Sequence, residues 1–368
     1  MKKFLYFFIV VLFFSCGKSS SNIDPNDNPG NQFDRGTILS NIYDNIILPA
    51  YNDLNANLID LENKISLFIQ DPTQINLNQT RVSWVQAYKS WQGVAMFNLR
   101  KAEEVSYAAI MNTYPCNESK IDNNINDSIF EIGLLSPSLL GTMGFPAIGY
   151  LIYGNDSTNV LSVYTNSNAQ KHKVHLMALI QNMRYNTDLV IADWNSNRSD
   201  FVNSTSNTST SSLNIIVNDF LQYFEKRVRE AKVAIPSGVR GNLMPRPDQI
   251  ESLYKPDICK VLLQEAFNSV KRLYKGDSYD GFIPGVGLED YLSALNSTED
   301  LINAIDNQLD IIDENINMLE NDFILQLNND NQKMFDVFYS MQTLVTYTKT
   351  DMLSFMNIST DYMDNDGD

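Results

Sequence analysis

Apolar side chains recur in alternating three- and four-residue steps over most of the chain, the spacing that gathers them on one face of an α-helix. Ile302, Ile305, Leu309, Ile312, Ile316, Leu319 and Phe323 form one such stripe; Met334, Phe338, Met341, Val345, Thr348, Met352 and Phe355 form a second. Asn328-Asn329-Asp330 separates them, so two long amphipathic helices are expected to pack antiparallel across a short connection. Nearer the start, Leu54, Leu58, Leu61, Ile65 and Phe68 make a stripe that Asp71-Pro72 ends. Trp84, Tyr88, Trp91, Ala95, Leu99 and Ala102 make another, and Leu176, Ile180, Met183, Val190 and Trp194 a third. Helices over 213–234 and 247–275 supply the rest. No run of alternating β-branched residues calls for a sheet, so the fold class is all-α.

The chain begins Met1-Lys2-Lys3, continues with an apolar run over 4–14, and reaches Ser15-Cys16-Gly17. A basic start and a run too short to span a bilayer read as a secretory signal over 1–15. A cysteine directly after a small residue has the form of a lipoprotein cleavage box. Cleavage before Cys16 would free its thiol and amine for acylation, and several acyl chains anchor durably. Residues 16–32 are almost wholly Ser, Asn, Asp, Pro and Gly, a flexible tether that cannot bury enough surface to order itself. A helical body over 33–195 follows, then a Ser/Thr/Asn-rich linker or exposed loop over 196–212, then a second helical body over 213–358. Gly/Pro-rich irregular regions fall over 133–154, 235–247 and 281–287.

A net charge of −17 argues against nucleic acid and against electrostatic docking on anionic lipid. Cys116 and Cys259, in opposite halves, either pair in an oxidising envelope or are two unrelated thiols.

Arg81-x-x-Trp84 followed by Trp91, then Asn112-x-Tyr114-Pro115, then the run from Gly144 to Gly154 resemble the first half of an imelysin-like protein. Ile235-Pro236-Ser237-Gly238-Val239, Pro247-x-x-x-Glu251-x-x-Tyr254 and Gly285-Val286-Gly287-Leu288-x-Asp290-Tyr291-Leu292 resemble the form found in lipoproteins of Bacteroidetes-type bacteria. The resemblance spans roughly 33–355. It implies two helical-bundle halves related by a pseudo-twofold, a cleft at their junction, export, and a link to iron-regulated uptake; some members have been called peptidases. The family signature is Gly-x-His-x-x-Glu, whose His and Glu share a helix face and suit a metal or polar ligand. This chain has Pro146 where the signature has His and Gly149 where it has Glu. Neither side chain binds a metal or moves a proton. Pro146 suits the first turn of a helix and Gly154 its C-terminal stop.

His172 and His175, the two histidines, lie three apart on a helix between lysines, a metal pair in form but more simply a seam residue and a surface one. No hydrolase constellation or phosphate loop is visible, and Glu103-Glu104 reads as a solvated helix face. The end, 359–368, half-resembles a calcium loop, but Tyr362 stands at its first ligand place and the closing Glu is missing; it reads as an acidic, disordered tail. Trp84, Trp91, Tyr88 and Tyr150 line either a cleft or the core. Arg81, Arg240, Glu251 and Asp290, with Gly144, Pro146, Gly149 and Tyr150 of the degenerate motif, complete the expected cleft set.

The expected function is a non-enzymatic cell-envelope lipoprotein of the outer membrane, periplasmic or surface-facing, that binds a ligand or an outer-membrane partner where its two halves meet. No cofactor is expected; iron or haem acquisition is implied by the resemblance alone. The alternatives are a metal-dependent peptidase of the imelysin type and a structural or adaptor lipoprotein.

Overall fold

A computed structural model describes residues 33–129, 139–154 and 159–360. The expected export signal, Cys16 and the expected tether, residues 133–138 of the first irregular region and residues 361–368 of the acidic end lie outside the described residues. Among the described residues every regular element is helical, and no helix is long and apolar enough to cross a membrane.

Asp34 opens the body by accepting the Gly36 and Thr37 amides at the start of Arg35–Asn41. A π-helical turn, Ile42–Ile47, leads into α1, Leu48–Gln70, whose whole predicted stripe is buried. Pro72 disfavours helical geometry at Asp71, which sits at φ −129°, and the helix stops there. The Thr73 hydroxyl then accepts the Asn76 amide to start α2, Gln74–Val94. The short α3, Gly144–Tyr153, packs on both α2 and α4, Ala169–Ser196, while α1 lies against α2 and α4. The predicted stripe over 84–102 is interrupted. α2 ends at Val94 and Arg100 takes φ +57°, so Leu99 and Ala102 reach the core from a separate turn.

After α4 the segment 197–211 is mostly exposed and holds one short helix, Arg198–Val202, with Phe201 and Ser211 buried. It is pinned rather than loose: Arg35 Nη1 donates to Ser206 O (2.6 Å), and Asn207 Nδ2 donates to Met356 O (3.3 Å). α5, Ser212–Gln222, runs on without a break into the π-helical segment Tyr223–Ala234, in agreement with the predicted 213–234 helix. The helix predicted over 247–275 starts later. Pro256 keeps Lys255 out of helical geometry (φ −146°), so residues 247–258 hold only two 3₁₀ turns, Pro247–Gln249 and Pro256–Ile258, and α6 is Cys259–Lys275. The long stripe over 302–323 is likewise split. α7, Glu299–Asn317, stops short, and Asp322 caps a new helix, Phe323–Asn329. α8, Asn331–Thr346, packs antiparallel to α7, as expected: the Gln308 side chain bonds Ser340 O (2.8 Å) and that of Asn315 bonds Asp336 O (3.5 Å).

α6 packs on α2, the π-helical segment and α7, and so joins the two halves of the sequence. The buried apolar residues form one continuous core from Ile38 to Ile358. Both thiols are free: Cys116 Sγ lies 3.2 Å from the Tyr254 hydroxyl, and Cys259 is buried beside Ser252 O.

Candidate functional site

Where α2, the turn after Met111 and the π-helical segment meet residues 249–251, polar side chains from both halves converge in the interior. Lys232 Nζ donates to Glu251 Oε2 and to Gln92 Oε1 (3.0 Å). Glu251 Oε1 accepts from Gln92 Nε2 (3.1 Å) and Asn112 Nδ2 (2.8 Å). Tyr88 donates to Asn112 Oδ1 at 2.6 Å, and the Gln92 carbonyl accepts from Ser269 (3.1 Å) and Tyr223 (3.4 Å). Lys232 and Glu251 are each 5% exposed. Burial pulls the Lys232 ammonium below its ordinary pKa and Glu251 acts against that, so the pair is neutralised within the cluster.

This cluster is the floor of a cleft of about 150 Å³ whose walls include Trp91, Ala108, Tyr114, Arg227 and Ile235. A neighbouring groove of about 300 Å³, reaching Asn98, Asp219 and Lys226, shares Ala95, Ala108, Tyr223 and Arg227 with it. On the other side of Tyr114 and Glu251 lies a void of only about 10 Å³, enclosed by Trp84, Cys116, Pro146 and Tyr254. That is room for no more than one water, so the position of the degenerate motif is packed shut.

Four of the residues expected at the cleft line these hollows: Trp91 and Glu251 the open one, Trp84, Pro146 and Glu251 the closed one. Gly144 and Gly149 stand behind them as packing positions. Gly144 takes φ +79°, where a Cβ would lie 2.2 Å from Met111 O, and a Cβ on Gly149 would meet the Trp84 ring at 3.0 Å. Pro146 occupies the first turn of α3 and Gly154 its C-cap, as expected. The Trp84 indole donates to Phe145 O (3.1 Å).

The other expected residues do not line the cleft. Arg81 donates to Ile152 O (2.8 Å) and lies over the Tyr153 ring, where it satisfies the end of α3 in a separate open groove. Tyr150 bonds Asp122 (3.2 Å) on the outer side of Tyr254. Arg240 pairs with Glu230 (3.0 Å) and stacks over Phe338. Asp290 accepts the Gly287 amide (2.8 Å) as the cap of the short helix Leu288–Ser293. Charge beside a motif here marked helix ends and ion pairs.

Lys232, Gln92, Asn112, Tyr114 and Arg227 were missed as a set. One signal was present. Phe224, Val228 and Lys232 follow four-residue steps, so a lysine stands on an otherwise apolar helix face, and Gln92 does the same one turn after Tyr88.

Burial sets the protonation of Cys116 and His175. Burial pushes the Cys116 thiol up to about 11, so it is protonated at neutral pH. His175 is buried in a different small cavity with Met143 and Asn182, and burial pushes it down to about 4. Among the described residues no three His, Cys, Asp or Glu side chains converge as a metal site. Pro146 and Gly149 supply no donor atom, and Glu251 is committed to Lys232, so the donor set does not fit a metal of the signature type.

Solved structures share the fold, among them these two. An imelysin-like protein from Psychrobacter arcticum superposes with a TM-score of 0.69 at 14% identity, over 89% of this chain and 97% of that one. A protein described as an iron-regulated protein A precursor from Parabacteroides distasonis does so with a TM-score of 0.72 at 14% identity, over 88% and 95%. In sequence, iron-regulated protein A of Synechococcus elongatus is 26% identical over 107 residues, 29% of this chain. The match spans only 27% of that relative's length. The family model described as Imelysin matches residues 47–350, and on that match the chain belongs to the imelysin family.

Proposed function

We propose that this chain is an exported, lipid-anchored protein of the cell envelope that binds a small ligand in the cleft between its two halves and does not cleave peptides. The observation that carries this reading is the buried Lys232–Glu251–Gln92–Asn112 floor beside an open cleft, while the signature position next to it is filled by Pro146 and Trp84. Satisfied polar groups brought together from distant segments, under a concave wall of aromatic and aliphatic side chains, are the usual make-up of a binding pocket. The relatives named for iron regulation support a setting in iron-regulated physiology, with the ligand left open. The run over 4–14 and Cys16 support anchoring, and Cys16→Ala is expected to move the protein from the membrane to the soluble fraction.

Ala108 is half-buried and faces both the cleft and the groove, so Ala108→Trp is a plug. A fragment library screened by ligand-observed NMR is expected to give hits on the wild type that the plug abolishes at unchanged melting temperature. Hits indifferent to the plug, or chelator-sensitive turnover of unfolded casein, would overturn the reading.

A further inference from the structure

The cleft wall carries a cation that no carboxylate among the described residues neutralises. In the π-helical segment i→i+5 bonding widens each turn, and steps of four and five residues set Tyr223, Arg227 and Lys232 along one wall. The neighbouring cations are matched: Lys226 and Arg229 to Glu225, Lys232 to Glu251. Arg227 is exposed at the mouth and has no carboxylate within ion-pairing distance among the described residues. Glu251, which lines the same cleft, is already engaged by three donors.

Tyr114 lines the same cleft and has no hydrogen-bond partner for its hydroxyl among the described residues. Burial, then Glu251, holds its phenol well above the ordinary value, and Arg227 is close enough to act in the opposite direction. The hydroxyl therefore stays a donor. With the floor pair cancelling, the cleft presents one net positive charge, a planar fork and an O–H beside apolar Trp91, Ala95, Ala108 and Ile235. A planar guanidinium matches a carboxylate in a two-bond fork. A pocket of about 150 Å³ is the size that holds a single benzene ring.

We propose that the junction cleft takes a small organic carboxylate, its anionic group on Arg227 and Tyr114 and its hydrocarbon part against Trp91, Ala95, Ala108 and Ile235. This rests on the ligand-binding reading above and adds the chemical class. The carboxylate belongs either to a free acid or to the C-terminus of a peptide whose preceding residue would lie in the groove beyond Arg227.

The test uses the mature chain, with benzoate and benzamide as the charged and neutral probes, and the dipeptide Ala-Phe with a free or an amidated C-terminus. Titration is followed by calorimetry. Benzoate is expected to bind at least about tenfold more tightly than benzamide, one charge-assisted hydrogen bond's worth. Arg227→Gln is expected to remove that preference, chiefly by weakening benzoate, with a smaller loss in Tyr114→Phe; both sites are at the cleft wall, so melting temperatures serve as the folding control. Tighter binding of free Ala-Phe than of benzoate, lost on amidation, assigns the source as a peptide terminus; the reverse order assigns a free acid. Equal binding of benzoate and benzamide, benzoate binding indifferent to Arg227→Gln, or no benzoate binding overturns the carboxylate assignment. Benzamide binding that Ala108→Trp abolishes would then leave the ligand-binding reading standing.

Discussion

Gly149 shows how the loss of the signature has been absorbed by packing. Its missing side chain leaves space that the Trp84 ring fills, with the ring 3.0 Å from where a Cβ would stand, and the Trp84 indole is tied to Phe145 O. Gly149→Ala is therefore expected to push that ring off its hydrogen bond and cost about 1–3 kcal/mol, read as a lower urea midpoint at constant slope. Gly149→Glu is expected to cost more, and Pro146→His with Gly149→Glu to retain no metal, because the void beside Pro146 has only about 10 Å³ and the Trp84 ring covers Gly149. Unchanged stability in Gly149→Ala would mean that Trp84 is free to move. The identity of residues 146 and 149 was legible in the sequence, and so was the loss of donor atoms. That tryptophan occupies the gap was not, because it depends on how α2 and α3 approach each other.

The π-helical segment Tyr223–Ala234 ties its half to α2 through Lys232. Removing one partner of a buried ion pair strands the other: Lys232→Met leaves Glu251 charged in the interior, and Glu251→Gln leaves Lys232 so. Each single change is expected to cost about 3–5 kcal/mol. Lys232→Met with Glu251→Gln is expected to cost less than the sum by about 0.5–3 kcal/mol in a double-mutant cycle on urea midpoints. Strict additivity would show that the two groups do not act as a pair. The helices were legible because each repeats its spacing over several turns, as the buried faces of α1, α4 and α8 show. Their ends were less so. The stripe over 247–275 kept its helical spacing past a start that Pro256 forbids, and the stripe over 302–323 crossed a break set by the Asp322 cap. The shift from i→i+4 to i→i+5 bonding within Tyr223–Ala234 leaves no mark in composition, and it is that shift which brings Arg227 and Lys232 onto one wall.

Side chains far apart in sequence are bonded across the molecule. Arg35 reaches Tyr291 (2.7 Å), Asn41 reaches Gly276 O (2.7 Å), and Tyr88 reaches Glu251 O (3.2 Å). Together with the continuous core, these links couple residues 33–195 to 213–358. Independent bodies would unfold separately, whereas a shared core should give one transition. The chain carries its own reporters for the two halves. Its three tryptophans, Trp84, Trp91 and Trp194, all lie in the first, and Cys259, 3% exposed at the start of α6, lies in the second. In a Cys16→Ala, Cys116→Ser background the only remaining thiol is Cys259. Its labelling by a thiol reagent and the red shift of tryptophan emission are expected to share a single midpoint along a urea titration. Labelling of Cys259 at lower urea than the emission shift would instead show that the second half opens while the first stays folded. The cleft would then lie on a hinge between two units, and its floor of Lys232, Glu251, Gln92 and Asn112 would be assembled only when they close.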